Sequence, residues 1–202
     1  KRNCNICNRL NLYIKVQRKK FPKWYNNPVK GIGSLESKLL IVGLAPGLKG
    51  ANKTGIPFTG DFSGELILEN LKKFNYLNKG ENFNNFMKLR ITNAVKCVPP
   101  KNKPLSKEIN NCQNFLYSEI KNMKNLKIIL TLGLIAHKSI LKIFKKKQSA
   151  FKFKHLSTHQ INNELKMINS YHCSKINILT KRLSLAEFEK AFHIVNKELV
   201  NL

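Results

Sequence analysis

Acidic residues are scarce in this chain of 202 residues: 11 Asp and Glu stand against 37 Lys and Arg, for a formal charge of +26. A charge so far from zero exceeds what solubility requires and points to a polyanionic partner, with nucleic acid first. An AT-rich coding sequence, which would enrich Lys, Asn and Ile throughout, is the plain alternative, because basic composition alone discriminates poorly. Long apolar runs are also missing. None approaches the roughly 20 residues of a membrane-spanning helix, and the first residues lack the apolar centre of a secretory signal, so a soluble, cytoplasmic, nucleoid-associated protein without a membrane partner is expected. Neither the Gly-x-Gly-x-x-Gly nor the Gly-x4-Gly-Lys-Ser/Thr spacing occurs, which disfavours a nucleotide cofactor. There is no internal repeat.

What is present is a patterned, foldable chain. Its 42% hydrophobic content argues against wholesale disorder, and its length suits one domain, residues 1–202, with residues 1–38 as an N-terminal segment. Residues 39–44 (LLIVGL) form a short, nearly continuous apolar run, the pattern of a strand covered on both faces. A Gly-rich loop follows as far as Ser63, a candidate N-cap for a helix carrying Ile67, Leu71 and Phe74. Residues 91–95 and 127–132 read as further strands, each followed by an apolar helical stripe, and residues 165–168 as a shorter one leading into a loop over 170–181. Ser184 and Glu187 have the spacing of a capping box for a last helix. This alternation predicts a three-layer α/β/α domain with a mostly parallel sheet, whose ligand crevice lies at the C-terminal ends of the strands. Separate loops after Val42, around Asn93 and after Ile168 would then converge.

The loop over residues 43–64 reads GLAPGLKGANKTGIPFTGDFSG, with a glycine density that allows backbone to approach a ligand. Phe58, between Pro57 and Thr59, is placed either to stack on a base or to pack the core. Asp61 is either a general base or an acid favoured by the helix dipole beside it. Asn93 can donate and accept at once, as the edge of a pyrimidine requires.

Four cysteines form two pairs, Cys4 with Cys7 in a C-x2-C spacing and Cys97 with Cys112 bracketing Pro99, Pro100 and Pro104. Four thiolates suit a tetrahedral metal or an iron–sulfur cluster, with zinc left open by spacing alone. Disulfides are the weaker reading in a basic protein with no secretory signal. Cys173 stands apart beside His172, as a small packing residue or, less readily, a nucleophile.

Together, residues 43–64, the segment ITNAVKCVPPKNKP and the segment SYHCSKINILTKRLS resemble the uracil-DNA glycosylase superfamily, and specifically its fifth family, the B-type iron–sulfur enzymes. The resemblance spans nearly the whole chain, departing at Cys173, where the family usually carries the Pro of His-Pro-Ser. It implies a four-stranded parallel sheet between helices, a [4Fe-4S] cluster on Cys4, Cys7, Cys97 and Cys112, and removal of uracil or related damaged bases from DNA. Related families place an acidic or amide side chain where this chain has Leu44, so the resemblance moves the polar role to Asp61. It implies a pocket lined by Gly43 and Ala45, with Phe58 stacking, Asn93 reading the base and His172 donating to its carbonyl oxygen. Lys53, Ser174, Lys175, Lys181 and Arg182 are the expected DNA contacts, Ile178 or Leu179 the expected wedge, and a monomer the expected state. His137, His155, His159 and His193 are read as structural or exposed. The competing readings are the sister fourth family, a non-catalytic iron–sulfur module that binds nucleic acid, and a zinc-dependent binder.

Overall fold

The computed structural model describes residues 4–77 and 88–200. Along the chain these form α1 (Asn8–Lys20), β1 (Ile32–Gly33), β2 (Leu39–Gly43), α2 (Ala51–Thr54), α3 (Phe62–Lys73) and β3 (Arg90–Asn93). There follow α4 (Ser106–Asn122), β4 (Ile128–Leu132), α5 (Leu134–Ile143), β5 (Thr158–Gln160), β6 (Lys166–Ser170), α6 (Lys175–Leu179) and α7 (Leu185–Val200). No helix among the described residues is long and apolar enough to cross a membrane.

The strands make one sheet in the order β1-β3-β2-β4-β6-β5. The inner four, β3, β2, β4 and β6, are parallel, and the outer two pair antiparallel, so the sheet has six strands rather than the four expected. The two extra strands are only two and three residues long and lie at the edges, where no apolar alternation is needed to bury them.

Alternate residues of the central strands feed two layers. Leu39, Ile41, Ile91 and Leu130 pack with Ile67 and Leu71 of α3 and Phe188 and Phe192 of α7. Leu40, Val42, Ile129 and Met167 face the other way, onto Leu116 and Ile120 of α4 and Ala136 and Ile140 of α5. Continuous burial of β2 and β4 is therefore the signature of a sheet covered twice, as the unbroken apolar runs predict. A third cluster joins Leu10 and Ile14 of α1 to Val95, Cys97, Val98 and Cys112.

Helix ends follow their chemistry, with one correction. Ser184 and Glu187 exchange the expected reciprocal bonds, at 2.8 and 3.1 Å, to start α7. The N-cap of α3 is Asp61, not Ser63: its carboxylate accepts the Gly64 N–H at 2.9 Å. Ser63 lies in the first turn, where its hydroxyl is free to donate to the Cys173 carbonyl at 3.1 Å. The loop after β6 also contains α6, a short helix begun by Ser174, whose Oγ accepts from the Asn177 N–H at 3.3 Å.

Candidate active site

The loops that leave the C-terminal ends of β2, β3 and β6 meet over a cavity of about 530 Å³. Its lining brings together Ala45, Phe58, Asp61, Asn93 and His172, with Ser174 and Lys175 at the α6 side. Leu44 lines it as well, so the apolar residue at that position does face the crevice.

Gly43 does not line the cavity but makes it possible. It ends β2 directly beside Asn93 of β3. A Cβ at Gly43 would stand 2.3 Å from the Phe58 ring and 2.6 Å from Asn93 Oδ1, so only glycine lets ring and amide approach this backbone. Phe58 is 7% exposed and holds a left-handed φ of 54°, a conformation costly for an aromatic residue unless its surroundings impose it. Three of the eight non-glycine residues with positive φ among the described residues, Phe58, Lys101 and Asn102, line this cavity; strain of that kind gathers at functional sites.

Asp61 caps a helix and borders the cavity. Oδ1 caps α3, while Oδ2 faces the backbone of the loop so closely that a Cβ at Gly50 would lie 2.5 Å from it. The carboxylate is thus fixed by a backbone N–H and still borders the cavity. His172 keeps a face toward the cavity but is otherwise hemmed in by protein. Burial holds its pKa below the ordinary value, with the Asp61 charge opposing that shift. The ring is therefore neutral at pH 7, and its N–H can donate to a developing oxyanion without bringing a net charge. Its loop is tied down from two sides: Asn177 Nδ2 donates to the His172 carbonyl at 2.7 Å, and Ser63 to that of Cys173. Cys173 is fully buried, and burial pushes its thiol up to about 12. A nucleophilic thiolate is excluded there at neutral pH.

The expected DNA contacts separate. Ser174 and Lys175 border the cavity, whereas Lys181 and Arg182 lie exposed beyond α6, with Arg182 over the Tyr171 ring at 5.1 Å. Lys53, in α2, is exposed next to Trp24 instead. Of the two wedge candidates, Leu179 is 70% exposed, but Ile178 packs against the core, and Ile176, at 72%, takes its place as an exposed apolar tip. Lys101, Asn102 and Lys103 reach the rim from the connection after β3. Sequence reasoning saw only an irregular Pro-rich link there; the signal was the KNK bracketed by Pro100 and Pro104. The other histidines lie away: His137 is buried against Asn169 Oδ1 and the Phe151 carbonyl, both at 2.9 Å, and His193 is exposed.

No disulfide joins any of the five cysteines. Cys7 immediately precedes α1, Cys97 follows β3, and Cys112 lies on α4, so the fold itself collects them in the third apolar cluster. Burial pushes the Cys97 thiol up to about 12, with Cys112, Cys4 and Cys7 adding to the shift because they stand near it. Two sulfurs receive N–H groups, Cys112 from the Lys96 backbone at 3.3 Å and Cys7 from Asn111 Nδ2 at 3.4 Å. An apolar hollow with N–H groups aimed at sulfur suits thiolates bound to a metal group. Among the described residues, no three His, Cys, Asp or Glu side chains are disposed to hold a single metal ion.

Comparison with known proteins agrees with this geometry. Residues 30–196 match the model of the family described as the uracil DNA glycosylase superfamily. A type-5 uracil-DNA glycosylase of Thermus thermophilus is 34% identical over 195 residues, covering 92% of this chain and 89% of that protein. One of Pyrobaculum aerophilum, also named type-5, is 33% identical over 193 residues, covering 91% and 83%. A type-4 uracil-DNA glycosylase from the same organism aligns over only 122 residues, 60% of this chain and 57% of its own length, at 35% identity. The chain belongs to the uracil DNA glycosylase superfamily and, within it, to the type-5 branch.

Proposed function

We infer that the chain hydrolyses the N-glycosidic bond of uracil, and of related deaminated or damaged bases, in DNA, leaving an abasic site. The observation that carries this reading is the convergence of Phe58 and Asp61 from the loop after β2, Asn93 from the end of β3 and His172 from the loop after β6 on one cavity at the C-terminal edge of the parallel strands. Two proteins 34% and 33% identical to it, over 89% and 83% of their own length, are named as uracil-DNA glycosylases.

A base stacked in a duplex cannot reach such a cavity, so the nucleotide is flipped out at a cost of a few kcal/mol, less for a mispaired uracil. Lys175, Lys181, Arg182 and Lys53, with the Ser174 hydroxyl, offset that cost through phosphate contacts, and the exposed Ile176 and Leu179 fill the vacated stack. In the pocket the base lies against Phe58, over the backbone of Ala45, and pairs its edge with the Asn93 amide. As the bond from C1′ to the base nitrogen breaks, its electron pair leaves on the base. Neutral His172 donates to the carbonyl oxygen that gains charge. Asp61, with Oδ1 pinned by Gly64, offsets the oxocarbenium charge on the sugar and orients the water that adds to C1′. The water proton passes through Asp61 toward the departing base.

Cys4, Cys7, Cys97 and Cys112 would hold a [4Fe-4S] cluster, supported by the apolar hollow that Cys7, Cys97 and Cys112 share, the nearness of Cys4 to Cys97, and the N–H groups at Cys7 and Cys112. When bound it supplies no chemistry to hydrolysis; it ties the N-terminal segment to α4 and to the connection after β3. The protein acts as a monomer, in the cytoplasm, where its DNA substrate is.

The test is incubation with a duplex carrying one uracil, with free base measured directly and the abasic strand revealed by alkali. Release of uracil with strand scission supports the reading. A duplex that is bound but left intact selects a non-catalytic binding module. The absorption spectrum of the purified protein, with iron and sulfide content, tests the cluster separately: a colourless protein containing zinc overturns that part.

A further inference from the structure

The first 35 residues contain nine Lys and Arg and no Asp or Glu. Arg9 is paired with Glu108, but among the described residues no ion pair engages Lys15, Lys19, Lys20, Lys23 or Lys53. Three of these five surround one structure. Where α1 ends, Phe21 and Trp24 stack with ring centroids 4.0 Å apart and planes 8° from parallel. Lys53 of α2 holds its ammonium 5.8 Å from the Trp24 ring. Lys20 and Lys23 flank the two rings in sequence, both exposed.

The turn that presents these groups is built rigidly. Asn26 adopts φ 45°, is buried, and donates from Nδ2 to the carbonyls of Phe21 at 2.8 Å and Trp24 at 3.3 Å. Arg18 Nε donates to the Asn26 carbonyl at 2.9 Å. The whole turn is clamped to α2: Tyr25 and Asn26 donate their backbone N–H groups to Lys53 and Asn52, each at 3.0 Å, and buried Asn52 donates to Asn26 Oδ1 at 2.8 Å. Ala51, one residue before Asn52, lines the active-site cavity. Stacked aromatics among unneutralised cations are the composition of surfaces that track a nucleic-acid backbone while packing its sugars and bases.

We propose that Phe21 and Trp24, with Lys20, Lys23 and Lys53, form a second DNA subsite that takes the sugar–phosphate backbone of the strand beside the flipped nucleotide, holding the duplex by a contact separate from the cavity. The subsite rests on the glycosylase reading for its partner, but not on the chemistry of base release. On binding, the Lys53 ammonium turns from the Trp24 ring to a phosphate, and the aromatic pair packs against the adjoining sugar. Because the subsite meets backbone rather than base edges, it engages undamaged DNA as well.

Trp24 is the only tryptophan in the chain, so its emission reports on this subsite alone. The holoprotein is titrated with a short undamaged duplex, following Trp24 emission and, in parallel, the anisotropy of a labelled strand. The expected result is a saturating emission change with the same midpoint as the anisotropy, and binding at least tenfold weaker for Lys20→Glu combined with Lys23→Glu. The salt dependence of the double variant should flatten by a slope of about 2, one per lost phosphate contact. Circular dichroism of the double variant checks that it folds, as charge changes on an exposed turn should allow. Flat emission while anisotropy reports binding overturns the proposal, as does wild-type affinity in the double variant. Emission that responds although no uracil is ever released leaves the subsite standing and removes the glycosylase reading; release with flat emission does the reverse.

Discussion

At Asp61 the structure shows a helix cap and the proposed function adds a charge at the cavity, and a single substitution can separate the two. Asn caps a helix about as well as Asp but carries no charge. Asp61→Asn should therefore keep the stability of α3 while cutting uracil release by a hundredfold or more; Asp61→Ala should lose the same activity and about 1 kcal/mol of stability besides. Thermal melts alongside single-turnover rates distinguish the two, and an Asn variant with wild-type rates would reduce Asp61 to a cap. Gly43→Ala tests the floor of the pocket. The new methyl group would intrude on Phe58 and Asn93, so release should fall by at least tenfold with a destabilisation of about 1–3 kcal/mol. His172 gives a pH test with a definite sign. Burial lowers the pKa of His137, His155 and His172 below the ordinary value of about 6.5. Groups kept neutral by folding contribute stability that is complete above that value and lost as pH falls below it, so the melting temperature should drop on acidification from pH 7 to about 5. The neutral donor also predicts a release rate that does not decline as pH rises from about 7 to 8. A tenfold loss per pH unit there would mean that the imidazolium is the required form.

At the scale of elements, the loop after β6 shows how a cavity residue, His172, is held. Asn177 of α6 fixes the His172 carbonyl, and Ser63 of α3 fixes that of Cys173, so the loop is pinned by two side-chain hydrogen bonds. Asn177→Ala should lower single-turnover release by about tenfold while leaving overall stability within about 1 kcal/mol; equal losses in both would make Asn177 merely structural. Much of this framework was legible beforehand. The four parallel strands announced themselves because strands buried on both faces need unbroken apolar runs, and the capping box of α7 because its two side chains are spaced to reach each other's backbone. The edge strands β1 and β5 left no trace, since two or three residues at a border bury too little to impose a pattern. The true cap of α3 was hidden because Asp61 and Ser63 are both good N-caps and only the packing of Ser63 on the Cys173 carbonyl decides between them. Lys101 and Lys103 were missed for a related reason: two successive left-handed residues, Lys101 and Asn102, aim that turn at the cavity, and no residue type at those positions signals such a backbone. The cavity residues Phe58, Asn93, Asp61 and His172 were found through motif resemblance, their convergence through topology.

For the whole molecule, the charge of +26 suits the DNA substrate that membership of a DNA-glycosylase superfamily implies. Affinity for undamaged duplex should fall steeply with salt, by about a thousandfold between 50 and 200 mM if six or so phosphates are contacted. Insensitivity to salt would return the basic composition to coding bias. The molecule then reads as a sheet whose C-terminal edge gathers the reacting groups, with basic loops and the α1 turn around it to hold the substrate. Its central claim is that His172, at that edge, stabilises the departing base. Single-turnover release of uracil from a uracil-containing duplex, wild type against His172→Ala, tests this most directly. The expected result is a rate lower by about 10²- to 10³-fold in a variant that still folds and binds DNA; an undiminished rate would contradict the account.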